Sequence, residues 1–283
     1  MTTYAVTGAT GHYGPIVVET LLARGVAPGD VVAIAREPVR ADLPEGVVVR
    51  EGDYDRPETL APALAGVDRL LLVSGNEVGR RVPQHTAVVE AARTAGVGRV
   101  FYTSVLRAAT TPLVIAPEHK ATEEALAASG IPHTLLRNGW YMENYTRAAP
   151  QHLASGVINH AAGEGRIAAA TRADLAEAGA AAMVAAEPRD VYELAGPGFT
   201  YADLARTLTE LTGTPVEARA LTPQELTDAL TAAGVDDGTA GFLVTLDRNI
   251  ADGALDGDPA DLEGLLDRPA TPLAEALRLA LAV

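Results

Sequence analysis

Gly8, Gly11 and Gly14 stand at GxxGxxG spacing in the run Gly8-Ala9-Thr10-Gly11-His12-Tyr13-Gly14, between a strand-like stretch, Tyr4 to Thr7, and a segment of helical period, Ile16 to Leu22. Glycines at these intervals let the backbone turn tightly and come close to a pyrophosphate. The first amides of the following helix add donors and a favourable dipole. Strand, loop and helix together distinguish this pattern from an ordinary glycine-rich turn, so it predicts dinucleotide binding. The run Gly8 to Gly14, Thr10 included, is the expected phosphate loop.

The next strand-like run, Val31 to Ala35, ends at Arg36. NAD-specific chains carry an acidic residue there for the ribose 2′-hydroxyl. A guanidinium at that position can hold a 2′-phosphate, so Arg36 favours NADPH over NADH; the alternative is a solvated surface arginine. Asp53 and Tyr54 follow the third such run, and Ser74, Gly75 and Asn76 follow the fourth. Both groups lie at the carboxyl ends of strands, where open α/β sheets bind ligands, and they are expected adenine and ribose contacts or simple turn formers. No HExxH, GxSxG or metal-spaced acidic and histidine cluster is present, and cysteine is absent, so metal, hydrolase and thiolate chemistry fall away.

The elements that must position these residues alternate. Apolar runs at Tyr4 to Thr7, Val31 to Ala35, Val47 to Arg50, Leu70 to Val73, Val100 to Thr103 and His133 to Leu136 are mostly separated by Ala- and Leu-rich segments of helical period. This is the pattern of repeated βαβ units, and it predicts an α/β fold with a Rossmann-type, doubly wound parallel sheet. Glu37 to Gly46 carries proline and charge with little helical period, so the crossover between the second and third strands is expected to be short or irregular. Regularity breaks after about Tyr145, where Gly156, Gly163 and Gly165 punctuate short segments. The expected division is therefore a cofactor domain over 1–145, with a returning segment near 166–195, and a smaller, mostly helical substrate domain over 146–283. Within the latter, Thr222-Pro223-Gln224-Glu225 is a capping box that predicts a helix to about Ala233.

With 283 residues the chain can bury a sizeable core, and its 48% hydrophobic and 21% charged composition is ordinary for a globular protein. A net charge of −15 argues against nucleic acid and against an anionic membrane surface, while leaving room for one phosphorylated cofactor held locally. No run is long enough to span a bilayer and no basic-then-apolar leader precedes Tyr4, so a cytoplasmic, unprocessed protein is expected.

Several blocks resemble the atypical short-chain dehydrogenase/reductases of the NmrA-like branch, and within it the type 2 NAD(P)H:quinone oxidoreductases. They are VTGATGHYG, LLLVSGNEVGRRVPQH, YTSV, EHKATEEALAASGIPHTLLRNGWYMENY, IAAATRADLA and VYELAG, spread over nearly the whole chain. The resemblance implies NADPH extended across the strand ends and a quinone or similar enone between it and the smaller domain. It implies further that Gly8, Gly11, His12, Tyr13 and Gly14 contact the pyrophosphate, that Arg36 clamps the 2′-phosphate, and that Thr103, Ser104, Asn138, Gly139 and Trp140, and less strongly Arg172, neighbour the nicotinamide end. A homo-oligomer is a family-level expectation.

Common short-chain reductases protonate a developing alkoxide with a tyrosine placed four residues before a lysine. Here Lys120 would need that tyrosine at Ala116, and His119 would need it at Ile115. A quinone needs less help, because its reduction yields a phenolate-like anion whose conjugate acid has a pKa of about 10. His119 is then either a group that orients nicotinamide ribose or substrate, or a satisfied structural histidine. Trp140, Tyr141 and Tyr145 either wall an aromatic substrate or pack the core, and Tyr141 is the second catalytic candidate. Gln84 and His85 are undecided, and Glu123 and Glu124 are expected on a solvated helix face. A non-catalytic, NADP-binding redox sensor is the competing expectation.

Overall fold

In the computed structural model, which describes residues 1–283, Tyr4–Val6 (β1) pairs in parallel with Val31–Ala35 (β2). β2 is buried at all five positions, as expected of a strand covered by helices on both faces. Val48–Glu51 (β3), Arg69–Leu72 (β4), Arg99–Val105 (β5) and His133–Asn138 (β6) follow, with β3 one residue later than its apolar pattern suggests. Val157–His160 (β7), Val191–Leu194 (β8) and Glu217–Ala220 (β9) complete the set.

Seven strands form one parallel sheet in the order β3-β2-β1-β4-β5-β6-β8, while β7 and β9 form a separate parallel pair. The order reverses between β1 and β4. Loops leaving those two strands therefore diverge and open a crevice at their carboxyl ends. On one face of the sheet, Val17, Val18 and Leu21 of the helix Gly14–Ala23 share a core with Leu175, Ala178 and Ala182 of the helix Arg172–Val184. On the other, Val88, Val89 and Ala92 of Arg81–Ala95 share a core with Leu126 of Ala116–Ser129. The crossover from β2 to β3 holds only a short 3-10 turn, Pro38–Arg40, in line with its lack of helical period.

Beyond Asn138 the chain leaves the sheet and then returns to it. Arg172–Val184 packs against Gly14–Ala23, and β8 joins the free side of β6. A third core gathers Met142, Tyr145, Ile158, Phe199, Leu204, Leu246 and Ile250. Thr200 and Thr222 each open a helix with both halves of a capping box, to Asp203 and Glu225. The helix Ala260–Leu266 departs from the expected C-terminal grouping. Its Leu262 and Leu266 enter the core shared with Gly14–Ala23, and Asp261 pairs with Arg189 just before β8.

Arg107 fastens this C-terminal segment to the end of β5. Its guanidinium donates to the carbonyls of Gly253, Ala254 and Asp256 at 2.8–3.0 Å, and its amide donates to Glu193. No helix is long and apolar enough to cross a membrane.

Candidate active site

The loop after β1 is shaped by two glycines, one for its conformation and one for lack of space. Gly8 has φ +60°, a left-handed conformation, and a Cβ on Gly14 would lie 2.4 Å from the Gly8 carbonyl oxygen. The helix Gly14–Ala23 thus starts directly beneath the loop, and no side chain caps its first turn. Its N-terminal amides and dipole are left for an anion. Gly8, Thr10, Gly11 and His12 are exposed on the crevice side.

Tyr13 departs from the expectation. Its side chain turns inward and its hydroxyl donates to the Leu175 carbonyl at 2.7 Å, so only its backbone can serve a phosphate. Tyr54 is likewise redirected. Its hydroxyl oxygen lies 2.5 Å from Thr7 Oγ1 and 2.9 Å from the Val73 carbonyl, tying the ends of β1 and β4 together instead of reaching for adenine. Asp53 forms a turn, accepting from the Asp55 amide at 3.0 Å and facing Arg56 at 3.5 Å.

Arg36 stands exposed one residue beyond β2. The acidic groups around it are engaged elsewhere: Glu37 with Arg40 at 2.8 Å, and Glu51, across the sheet from Ala35, with Arg56.

After β4 the backbone is held closely. The Ser74 amide donates to Thr103 Oγ1 at 2.8 Å, and Thr103 in turn reaches Ser74 Oγ at 3.3 Å. The Gly75 amide donates to His85 Nε2 at 3.0 Å, and the Gly75 carbonyl accepts from Arg81 Nε at 2.8 Å. Asn76 alone of this trio is exposed.

Glu123 departs from the expected solvated face, and Ser104 is hydrogen-bonded to it. Ser104 donates to Glu123 at 2.6 Å, and Glu123 is buried, receiving Arg137 at 3.0 and 2.7 Å, while Arg137 also reaches Glu193 at 2.9 Å. Burying one carboxylate beside a guanidinium and a hydroxyl satisfies the charge that a solvated face would otherwise have to carry. Glu124 is exposed.

His119 is buried, with Nδ1 2.7 Å from the Tyr102 hydroxyl. Burial, reinforced by Arg81 and His85 nearby, pushes its pKa down to about 3. It therefore stays neutral near pH 7 and holds no proton in the imidazolium form to give.

At the end of β6, Asn138 is buried with no well-aligned hydrogen bond to its amide, and the phenols of Tyr13 and Tyr141 lie close enough for it to favour their charged forms slightly. Such a group is costly unless something completes it. Gly139 is a packing residue: its amide donates to Leu194 at 2.8 Å, and a Cβ would meet the Ala168 carbonyl at 2.7 Å. Trp140 is half-buried against the C-terminal core. Tyr141 is half-buried under the Arg172 guanidinium, 4.7 Å from the ring centroid. Burial raises the Tyr141 pKa and Arg172 partly opposes it, so the phenol keeps its proton. Glu143, which sequence reasoning missed, accepts from the Arg172 amide at 2.9 Å and keeps that helix start against the Trp140–Met142 strand-like segment. Tyr145 packs edge-on against Phe199 in the core.

Arg81, Gln84 and His85 were not separable from a solvated helix face by residue type. Their spacing with Val88, Val89 and Ala92, i, i+3, i+4, i+7, i+8, i+11, marks them as part of the buried stripe.

Residues 8–186 match the model of a family described as NAD(P)H-binding. The chain is 45% identical to quinone oxidoreductase 2 of Escherichia coli over 277 residues, 96% of each protein. It is 32% identical to an NmrA-like family domain-containing oxidoreductase of Aspergillus flavus, covering 97% of this chain and 94% of the other. Its fold superposes on the E. coli NADPH-dependent quinone oxidoreductase solved with NADPH at a TM-score of 0.94, with 44% identity over 99% of this chain and 100% of that one.

Proposed function

The chain belongs to the NAD(P)H-binding family, and from that premise we propose that it is an NADPH-dependent reductase of quinones. The observation that carries this reading is the exposed, unpaired Arg36 on the same rim as the uncapped helix start under the glycine loop, with the buried Asn138 amide beside the Tyr141 phenol at the end of β6. The free guanidinium, the helix start and the poorly satisfied amide fit the 2′-phosphate, pyrophosphate and carboxamide of NADPH respectively. The E. coli relative, whose name carries the quinone activity and whose structure was solved with NADPH, supports both the cofactor and the substrate class.

NADPH, when bound, supplies the hydride, and a quinone that accepts it with one proton from solvent leaves as the hydroquinone. The chain's own residues position and stabilise. Arg36 would hold the 2′-phosphate, and the amides from His12 to Gly14 would face the pyrophosphate, the Gly11 amide being spent on the Gly8 carbonyl at 3.0 Å. Asn138 would orient the carboxamide from the end of β6. Tyr141, kept protonated by burial, donates a hydrogen bond to the oxygen that gains charge, and Arg172 above its ring keeps a positive charge beside that oxygen. His119 acts through Tyr102 as a support of β5 and donates no proton. Trp140 presents a flat wall to an aromatic acceptor. The complete absence of cysteine fits a reducing cytoplasm.

Mixing purified protein and NADPH with a panel of small quinones, and following the loss of NADPH absorbance, tests the proposal. Quinone-dependent oxidation is expected. Tight NADPH binding with no oxidation of any member would replace it with a redox-sensing role.

A further inference from the structure

The N-terminal end of the helix Arg81–Ala95 carries three buried polar side chains that the proposed chemistry does not use, Arg81, Gln84 and His85. The hydrogen bonds of Arg81 and His85 converge on one residue. Gly75 gives its amide proton to His85 Nε2 at 3.0 Å, and its carbonyl takes a proton from Arg81 Nε at 2.8 Å. Both backbone groups of a loop residue are thus held by side chains of the next helix.

The network also fixes which ring nitrogen carries the proton. The Thr122 hydroxyl donates to the Glu118 carbonyl at 2.9 Å, so toward His85 Nδ1, 3.0 Å away, its oxygen can only accept. His85 therefore bears hydrogen on Nδ1 and offers the Nε2 lone pair to Gly75. At the other end of the loop, Glu118 accepts from the Gly79 amide at 2.8 Å and from Arg81 Nη1 at 2.9 Å. Gln84 donates to Asp55 at 3.0 Å and draws the loop after β3 toward the same turn.

This pinned loop adjoins the phosphate loop. Its predecessor Val73 donates from its amide to Thr7 Oγ1 at 2.9 Å, and a Cβ on Gly8 would lie 3.6 Å from Val73 Cβ. A shift at Gly75 is therefore passed directly to the crevice wall beside Gly8.

We propose that His85 and Arg81 are positioning residues that hold the loop after β4 in its cofactor-binding shape before NADPH arrives, with Glu118 securing Arg81. The inference rests on the NADPH-reductase reading. Its consequence is a population effect, because a loop correctly placed only a fraction of the time weakens apparent cofactor affinity by that fraction and leaves the filled site unchanged.

His85→Leu removes the acceptor for Gly75, whereas His85→Gln keeps a carbonyl oxygen able to accept and an amide able to donate to Thr122. NADPH dissociation constants from fluorescence titration, together with quinone kinetics, decide the matter. His85→Leu is expected to raise the NADPH Kd and KM about tenfold, equivalent to about 1.4 kcal/mol, with kcat at saturating NADPH and the quinone KM within about twofold of wild type. His85→Gln should restore most of the affinity. Glu118→Gln, which keeps the side-chain shape and removes its charge, should raise the NADPH Kd about threefold and covers the case in which His85→Leu does not fold. An unchanged Kd in His85→Leu, a fall in kcat with KM unchanged, or no rescue by glutamine would overturn the inference. Wild-type protein that binds NADPH but reduces no quinone would instead sink the activity reading, since the binding titration stands without it.

Discussion

Replacing Arg36 with alanine isolates the group that distinguishes the two nicotinamide cofactors. Arg36 sits one residue past β2 with no competing carboxylate, because Glu37 is occupied by Arg40 and Glu51 by Arg56. A hydrogen bond to a charged group contributes about 1.5–3 kcal/mol, and exposure of the side chain argues for the lower end. About 1.4 kcal/mol is tenfold in affinity, so Arg36→Ala should weaken NADPH binding about tenfold. NADH carries no 2′-phosphate, and its Kd should stay within about twofold, so the preference between the cofactors should largely disappear. Screening gives a second signature: the tenfold gap should narrow as ionic strength rises from about 0.01 M to 1 M, where the Debye length falls from about 30 Å to 3 Å. Fluorescence titrations with both cofactors at two salt concentrations measure all of this. Equal losses for NADPH and NADH, or no loss for either, would refute the assignment of Arg36 and of the cofactor preference built on it.

Tyr141→Phe keeps the ring beneath Arg172 but removes the O–H, and steady-state kinetics should show kcat for a quinone falling about tenfold with NADPH affinity unchanged. Gly14→Ala forces a methyl against the Gly8 carbonyl and Ala9 Cα, so NADPH binding should be lost in titration and the melting temperature should drop. Gly29→Ala, with open space around it, is the neutral control. His85 and His119 both have folded-state pKa values of about 3 against an ordinary 6.5. The unfolded chain takes up their protons first, so stability is full above about pH 6.5 and declines as pH falls toward 3, by up to about 1.4 kcal/mol per pH unit for each. Urea titrations between pH 7.5 and 4.5 should show that slope, flattened in His119→Leu; a flat wild-type profile would contradict the burial of both rings.

The parallel sheet was legible, though not the order of its strands, because a strand buried on both faces reads as an unbroken apolar run, as Val31–Ala35 and Leu70 to Leu72 do. The capping box at Thr222 was equally clear, since it needs only local residues. β7 and β9 were not legible. Their pattern, Val157-Ile158-Asn159-His160 and Glu217-Ala218-Arg219-Ala220, is short and half-exposed, and the pairing joins segments distant in the chain. At the candidate site, the glycines and Arg36 were singled out by position alone, and the structure leaves Gly8, Gly11 and the Arg36 side chain exposed. Tyr13, Tyr54 and Ser104 did not reveal that their hydroxyls point away from the crevice, because direction depends on partners such as Leu175 and Glu123 that only the tertiary fold brings near. Glu123 resembled surface charge for the same reason: Arg137, which neutralises it, lies on a different element.

The Tyr13 hydroxyl bonded to the Leu175 carbonyl has a consequence for how the molecule comes into being. The motif at residues 8–14 leaves the ribosome well before the helix that buries Tyr13 and packs on Gly14–Ala23, which ends only at Val184. Domains tend to fold as units during synthesis, N-terminal first. A nascent chain stalled anywhere before that helix carries the whole glycine signature with its supporting face still bare. The segment most recognisable in the sequence thus waits on a distant one for its support, and termination ahead of that helix leaves a motif without a site.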